Sequence, residues 1–220
     1  MKKFVLFLIC LILPCTFLCS CKSQNNLDGF VSELRSNCYK SVDSNLTIKA
    51  GYGFIEQQPN LDGKVGEKIY VLKFKLTGGQ TENVTYHVSL NFNQTEYFST
   101  FKLNPISHSL TAIMQIDNFN LSQFEITIKY GSDSQTVKMQ SILPENTITY
   151  SNALSCLQQS QSQLLKTFYQ DGKFCAELCL RVLVKDNHPY WYVCISSKEI
   201  SKALLIDGFT GEVLAIRDVF

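Results

Sequence analysis

The chain has 220 residues, 45% of them hydrophobic, and a formal net charge of +1 from 20 Lys and Arg against 19 Asp and Glu. Such a composition belongs to a folded chain of one large or two small domains and excludes an intrinsically disordered one. Near-neutral charge without a Lys or Arg cluster provides no field to steer nucleic acid, so nucleic acid is excluded as a partner.

Lys2-Lys3 opens the chain and an apolar run follows from Phe4 to Leu18. The run is short of the roughly 18–20 residues that span a bilayer, and Pro14 interrupts it, so residues 1–20 read as a cleaved export signal. Leu18-Cys19-Ser20-Cys21 resembles the lipobox of bacterial lipoproteins: an aliphatic residue, a tolerated one, a small one, then the Cys that takes lipid. The resemblance implies lipidation at Cys21, the membrane as a partner through that anchor, and a place on the outer face of the bacterial cell membrane. Residues 21–44 then form a lipidated tether and a short helix, since Phe30, Val31, Leu34 and Cys38 have helical spacing.

Over residues 45–143 the apolar period becomes two. Val84, Tyr86, Val88, Leu90 and Phe92 alternate with Thr85, His87, Ser89 and Asn91. Six further runs, starting near Leu46, Tyr70, Tyr97, Leu110, Phe124 and Val137, repeat the pattern, and turn-forming residues such as Asn93-Gln94-Thr95 and Gly131-Ser132-Asp133 separate them. Each run has one face for a core and one for water, as half-buried antiparallel strands do. Seven short strands at this spacing predict an immunoglobulin-like antiparallel β-sandwich, although the stretch has neither the Cys pair nor the Trp of an antibody core.

Pro144 marks a boundary, and residues 144–220 form a second unit. Ala153, Leu154, Leu157, Leu164, Leu165 and Phe168 make one helical stripe, with Thr149 or Ser151 as N-cap and Asp171-Gly172 closing the helix. Strands follow at Phe174 to Val184, around Trp191, at Ala203 to Asp207 and at Glu212 to Arg217. A helix packed on the apolar face of antiparallel strands is a small α+β domain, giving a chain of mixed α+β and all-β class.

Ile148 to Leu154, Tyr190-Trp191-Tyr192-Val193 and the hairpin Leu205 to Leu214 resemble the helix entry, middle strand and final hairpin of PepSY domains. The resemblance covers about Glu145 to Phe220, and Cys156, Cys175, Cys179 and Cys194 depart from the family pattern. It implies a non-catalytic domain that restrains peptidase activity near the envelope.

The nine cysteines thin out on inspection. Cys10, Cys15 and Cys19 leave with the signal and Cys21 takes lipid, which leaves five. Cys175 and Cys179, four apart on a strand, sit about 13 Å apart and cannot share a metal ion. A tight turn at Asp186-Asn187 would place Cys179 across from Cys194, as a disulfide or as two neighbouring thiols. His87 falls on the water face of a strand, His108 in a loop and His188 in a hairpin turn, and no Ser or Cys motif marks a nucleophile. No catalytic residue, metal ligand or cofactor site is therefore named. Tyr190 and Tyr192, opposite Trp191 in parity, are the aromatics that could face a ligand.

The sequence thus predicts a lipid-anchored surface protein that binds rather than catalyses, modulating an envelope or secreted peptidase through its C-terminal domain. The alternative is a structural or adhesion module whose sandwich takes a cell-wall glycan or another surface protein.

Overall fold

The first of the described strands is the central one. The structure, a computed structural model, describes residues 27–57, 64–78, 84–105 and 109–219. The export signal, Cys21 and His108 lie outside the described residues. A 3-10 turn at Leu27–Phe30 leads into a twelve-residue strand, β1, Val31–Val42. This corrects the short helix expected there. The pairing register of β1 shifts once between Val31 and Glu33 and again between Arg35 and Asn37. Each shift adds a residue, so a period of two turned into spacings of three and four, which mimic a helix.

The strands that follow are β2 Thr47–Glu56, β3 Lys68–Thr77, β4 Tyr86–Phe92, β5 Thr95–Thr100, β6 Lys102–Asn104, β7 Ser109–Gln115, β8 Gln123–Tyr130 and β9 Asp133–Ser141. Two layers result: β1-β2-β3-β7-β6 and β9-β8-β4-β5. Alternation puts Ile48, Leu72, Phe74 and Met114 of one layer against Val88, Ile126, Ile128 and Met139 of the other, all buried. Tyr39, Phe119 and Phe124 cross this core edge to face, with centroids 4.9–6.1 Å apart.

The layers are joined on both sides, unlike the two separate sheets of an immunoglobulin-like sandwich. On one side the second half of β1 pairs with β9, Tyr39 opposite Ser141. On the other, β5 pairs with β4 while β6, one residue further along, pairs with β7. Phe101 makes the crossing, its amide bonded to the Tyr86 carbonyl and its ring in the core.

The second half of the chain runs α1 Tyr150–Ser160, α2 Ser162–Lys166, β10 Tyr169–Gln170, β11 Lys173–Phe174, β12 Glu177–Lys185, β13 His188–Ser196, β14 Ser201–Asp207 and β15 Val213–Asp218. Thr149 is the N-cap of α1, its Oγ1 accepting the Asn152 N–H at 3.2 Å. Asp171-Gly172, expected to close the helix, instead turns the small β10–β11 hairpin with both residues at positive φ. Their left-handed pair suits a two-residue hairpin, and the helix has ended before them at Lys166.

Strands β12 to β15 form an antiparallel meander, and β12 pairs in parallel with the first half of β1, Val31 opposite Leu178. The edge of β1 not occupied by β2 is therefore shared, first by β12 and then by β9. One large sheet runs through the molecule with a core on either side of the handover. In the second core Ala153, Leu154 and Leu157 of α1 meet Leu178, Leu180, Trp191, Val193 and Ile206 of the sheet. Trp191 Nε1 donates to the Ile148 carbonyl at 3.0 Å, and the Ile148 amide donates to the Gly208 carbonyl at 2.8 Å, which ties the helix entry to the final hairpin.

Candidate ligand-binding face

Residues of β12 and β13 that do not face α1 must face outward, because alternate side chains take opposite sides of a sheet. On β12 these are Cys179, Arg181 and Leu183; on β13 they are Cys194, Tyr192 and Tyr190, directly opposite in that order. The outward face continues across β1, where Glu33 lies beside Cys179 and Arg35 beside Arg181. It then crosses β2 through Ile55, Gly53 and Gly51, β3 through Val71 and Lys73, and β7 through Ile113.

Gly53 sets the shape of this face. A Cβ there would lie 1.8 Å from the Leu34 carbonyl oxygen, so no other residue lets β1 approach so closely at its bulge. Gly51 lies beside the Arg35 side chain, and a Cβ there would come within 3.5 Å of Arg35 Cδ, an ordinary contact. Gly51 forms part of a pocket of about 350 Å³ on this face, walled by Ile55, Val71 and Ile113.

Its polar groups are sorted by sign. Glu33 bonds both Arg35, at 2.6 Å, and Arg181, at 2.9 Å. Burial alone would raise the Glu33 carboxyl, but the two guanidinium groups outweigh it and hold it below its ordinary value. Burial, then the nearby charge of Arg35, pushes the Lys73 ammonium down. Lys73 joins none of the ion pairs among the described residues. At the other end stand Glu56 and Glu177, 7% and 1% exposed. Glu56 Oε1 accepts the Gly66 N–H at 2.5 Å, while its buried Oε2 has no hydrogen-bond partner among the described residues.

Cys179 lies on the pocket rim, 3.8 Å from Ser32 Oγ. Burial, then the Glu33 charge, raises its pKa, so the thiol stays protonated and is a poor nucleophile. Cys179 and Cys194 are strand partners across the Asp186-Asn187 turn, whose residues both have positive φ. Both thiols are free and half-buried. Directly opposed strand residues have Cα atoms about 4.5–5.5 Å apart, a separation that a disulfide can also bridge.

Tyr192 is raised by burial and by Cys194 beside it. Tyr190 packs on His188, ring centroids 4.7 Å apart, and His188 Nε2 lies 2.7 Å from Asp207 Oδ2. His188 is the first residue of β13 rather than a turn residue, and His87 lies on β4 in the other unit. The described histidines do not converge. No group of three or more His, Cys, Asp or Glu among the described residues could hold a metal ion, and no described helix is long and apolar enough to cross a membrane.

Of the residues on and around this face, sequence reasoning named Cys179, Cys194, Tyr190 and Tyr192 but not Glu33, Arg35, Glu56, Lys73, Glu177 or Arg181. These six assemble only where β1 joins β12 and β2. Reading β1 as a helix removed that junction. The available signal was the pair of adjacent glycine positions, Gly51 and Gly53, on the outward side of β2. Comparison with protein-family models, with curated proteins and with solved structures gives no match.

Proposed function

We propose that this chain is a binding protein, held at the outer face of a bacterial membrane by lipid on Cys21, that engages a surface or secreted peptidase through the outward face of its C-terminal sheet. The observation that carries the reading is this face. Arg181, Tyr192 and Tyr190 lie side by side on it, away from the helices, and Arg181 pairs with Glu33 of the charged pocket. Beyond them, among the described strands, the sheet ends at β15, which pairs with β14 alone and exposes Leu214 and Ile216. A partner's extended segment can extend such an edge by main-chain hydrogen bonds while side chains take pockets on the face.

A PepSY-like arrangement of the C-terminal half is part of the same proposal. What supports it is a capped helix laid across an antiparallel sheet and a final hairpin tied to the helix entry through Ile148, Gly208 and Trp191. The dual acyl chains of a lipidated Cys would make the anchorage stable.

The test is photo-crosslinking in the membrane with a reactive amino acid at Tyr192 or at Leu214 of the full-length lipidated chain. A peptidase recovered from both positions is the expected result. Recovery of no peptidase from either position overturns the reading. A second reading, adhesion through the sandwich, is favoured by one feature: Phe98 is 63% exposed and stacks on His87, centroids 5.4 Å apart. Such a platform suits a sugar ring, and cell-wall glycan crosslinked at Phe98 would establish it in place of the first.

A further inference from the structure

We infer that the outer face of the β1-β2-β3-β7-β6 layer is a binding surface for a linear phosphodiester polymer, received along a row of four lysines, Lys40, Lys49, Lys75 and Lys102. The row lies on a different part of the sheet from Tyr190 and Tyr192 and stands whether or not a peptidase binds there.

Strand register draws the row. Lys40 of β1 lies opposite Lys49 of β2, and Lys49 opposite Lys75 of β3. Lys75 lies opposite Thr111 of β7, and Thr111 opposite Lys102 of β6. Each lysine adjoins a residue buried in the sandwich core, Tyr39, Ile48, Phe74 and Phe101 in turn, so all four point away from that core. All four are exposed. With neighbouring strands about 4.8 Å apart, the row is about 19 Å long. No run of basic residues announces it in the sequence, because each lysine comes from a different strand.

Like charges directly opposite one another destabilise a sheet, and nothing among the described residues relieves this row. None of its lysines joins an ion pair there. The five strands of the layer hold two carboxylates: Glu33, bound by Arg35 and Arg181, and Glu56, on the opposite face. Gln140, the neighbour of Lys40 on β9, is uncharged, and Asp43, in the turn after β1, joins no ion pair either. The complement of the row is therefore a repeated anion.

Its shape selects the partner. A single phosphate would cover one or two lysines and leave the others opposed. A flat anionic membrane would be met by a broad patch, whereas these charges stand in file, flanked by Thr47 and Thr77 on one side and by Gly51 and the half-buried Lys73 on the other. Single-stranded nucleic acid is gripped by aromatic side chains set among the cations, and none of the positions beside the row is aromatic. Lysine ammonium groups, point charges on flexible stems, can follow phosphates along a chain.

The experiment is titration of the full-length chain in detergent with fluorescently labelled poly(glycerol phosphate), read by anisotropy over a range of salt concentrations. Saturable binding is expected, with a slope of log K against log salt of about −3 for four neutralised phosphates. Lys49→Gln combined with Lys75→Gln should weaken binding about twentyfold and halve that slope. Lys129→Gln, on the outer face of the other layer, should change neither. Urea midpoints at or above the parent's show that the variants fold, since the substitutions remove opposed charges. Glycerol phosphate monomer at equal phosphate should not compete. Absence of saturable binding, an equal loss in Lys129→Gln, competition by the monomer, or equal affinity for oligothymidylate overturns the inference. So do lipid adducts formed by a photoreactive residue at Thr47 in phosphatidylglycerol vesicles, because the face would then lie on the membrane. Peptidase crosslinks at Tyr192 are independent of every one of these outcomes.

Discussion

At Gly53 a hydrogen atom decides the path of two strands. Any Cβ there meets the Leu34 carbonyl at 1.8 Å, so relief requires the β1 bulge to move. Gly53→Ala should destabilise the chain by roughly 3 kcal/mol, measured by urea unfolding, because the strain is against backbone rather than a flexible side chain. Asp207 makes a second residue-level prediction. Burial would raise its carboxyl, but the Thr210 and Phe209 amides and His188 bring it down to about 2 from 3.8. A depressed carboxyl stabilises the fold fully above its unfolded pKa and loses that contribution as pH falls through the folded one. The urea midpoint should therefore drop between about pH 4 and pH 2, and Asp207→Asn should flatten that part of the profile. The Asn keeps an oxygen for the two amides, so what it removes is the ionisable group.

Among the elements, those with unbroken periods were legible and those with irregularities were not. The alternation at Val84 to Phe92 located β4, and the same rule located β2, β3, β7, β8 and β9, which bury one face; the run through Tyr97 to Leu103 instead divides at Phe101 into β5 and β6, neither of which has a buried residue. The hydroxyls before the Ala153-Leu154 pair narrowed the cap to Thr149 or Ser151, and the helix starts at Tyr150, which makes Thr149 the cap. Thr149→Ala should cost about 1 kcal/mol in thermal or urea denaturation, with the Ser151 hydroxyl unable to replace it from inside the helix. β1 was misread because two bulges gave it the spacing of a helix. The loss carried over to the candidate site, since Glu33 and Arg35 acquire their neighbours only when β1 is a strand. The hairpin turn at Asp186-Asn187 is the converse case: the residues that favour positive φ announced the register that sets Cys179 against Cys194.

Over the whole molecule β1 belongs to two cores at once. Val31 and Leu34 are buried with α1 and β12, and Tyr39 is buried between the layers of the sandwich. Cutting the chain at residue 144 would leave β12 without its parallel neighbour and Leu178 and Leu180 without Val31 and Leu34. The two halves should therefore unfold together. Trp191, the sole tryptophan, reports on the second core, whereas far-ultraviolet circular dichroism reports chiefly on the strands of both. Their urea transitions should coincide; a fluorescence change at clearly lower urea than the dichroism change would show that the cores are energetically separate.

The position of β1 also has a consequence in time. Of the described strands the middle one of the sheet is the first to be synthesised, and the strand it pairs with in parallel begins at Glu177, with Val31 opposite Leu178. Until Glu177–Lys185 has been made, one edge of β1 has no β12, and the Trp191 core lacks a wall. Closing contacts so remote in sequence carries a large loop-entropy cost before any of them stabilises the chain, and it places folding at the slow, millisecond-to-second end of single-domain rates. A nascent chain of this kind carries β1 with one edge open until β12 has followed it.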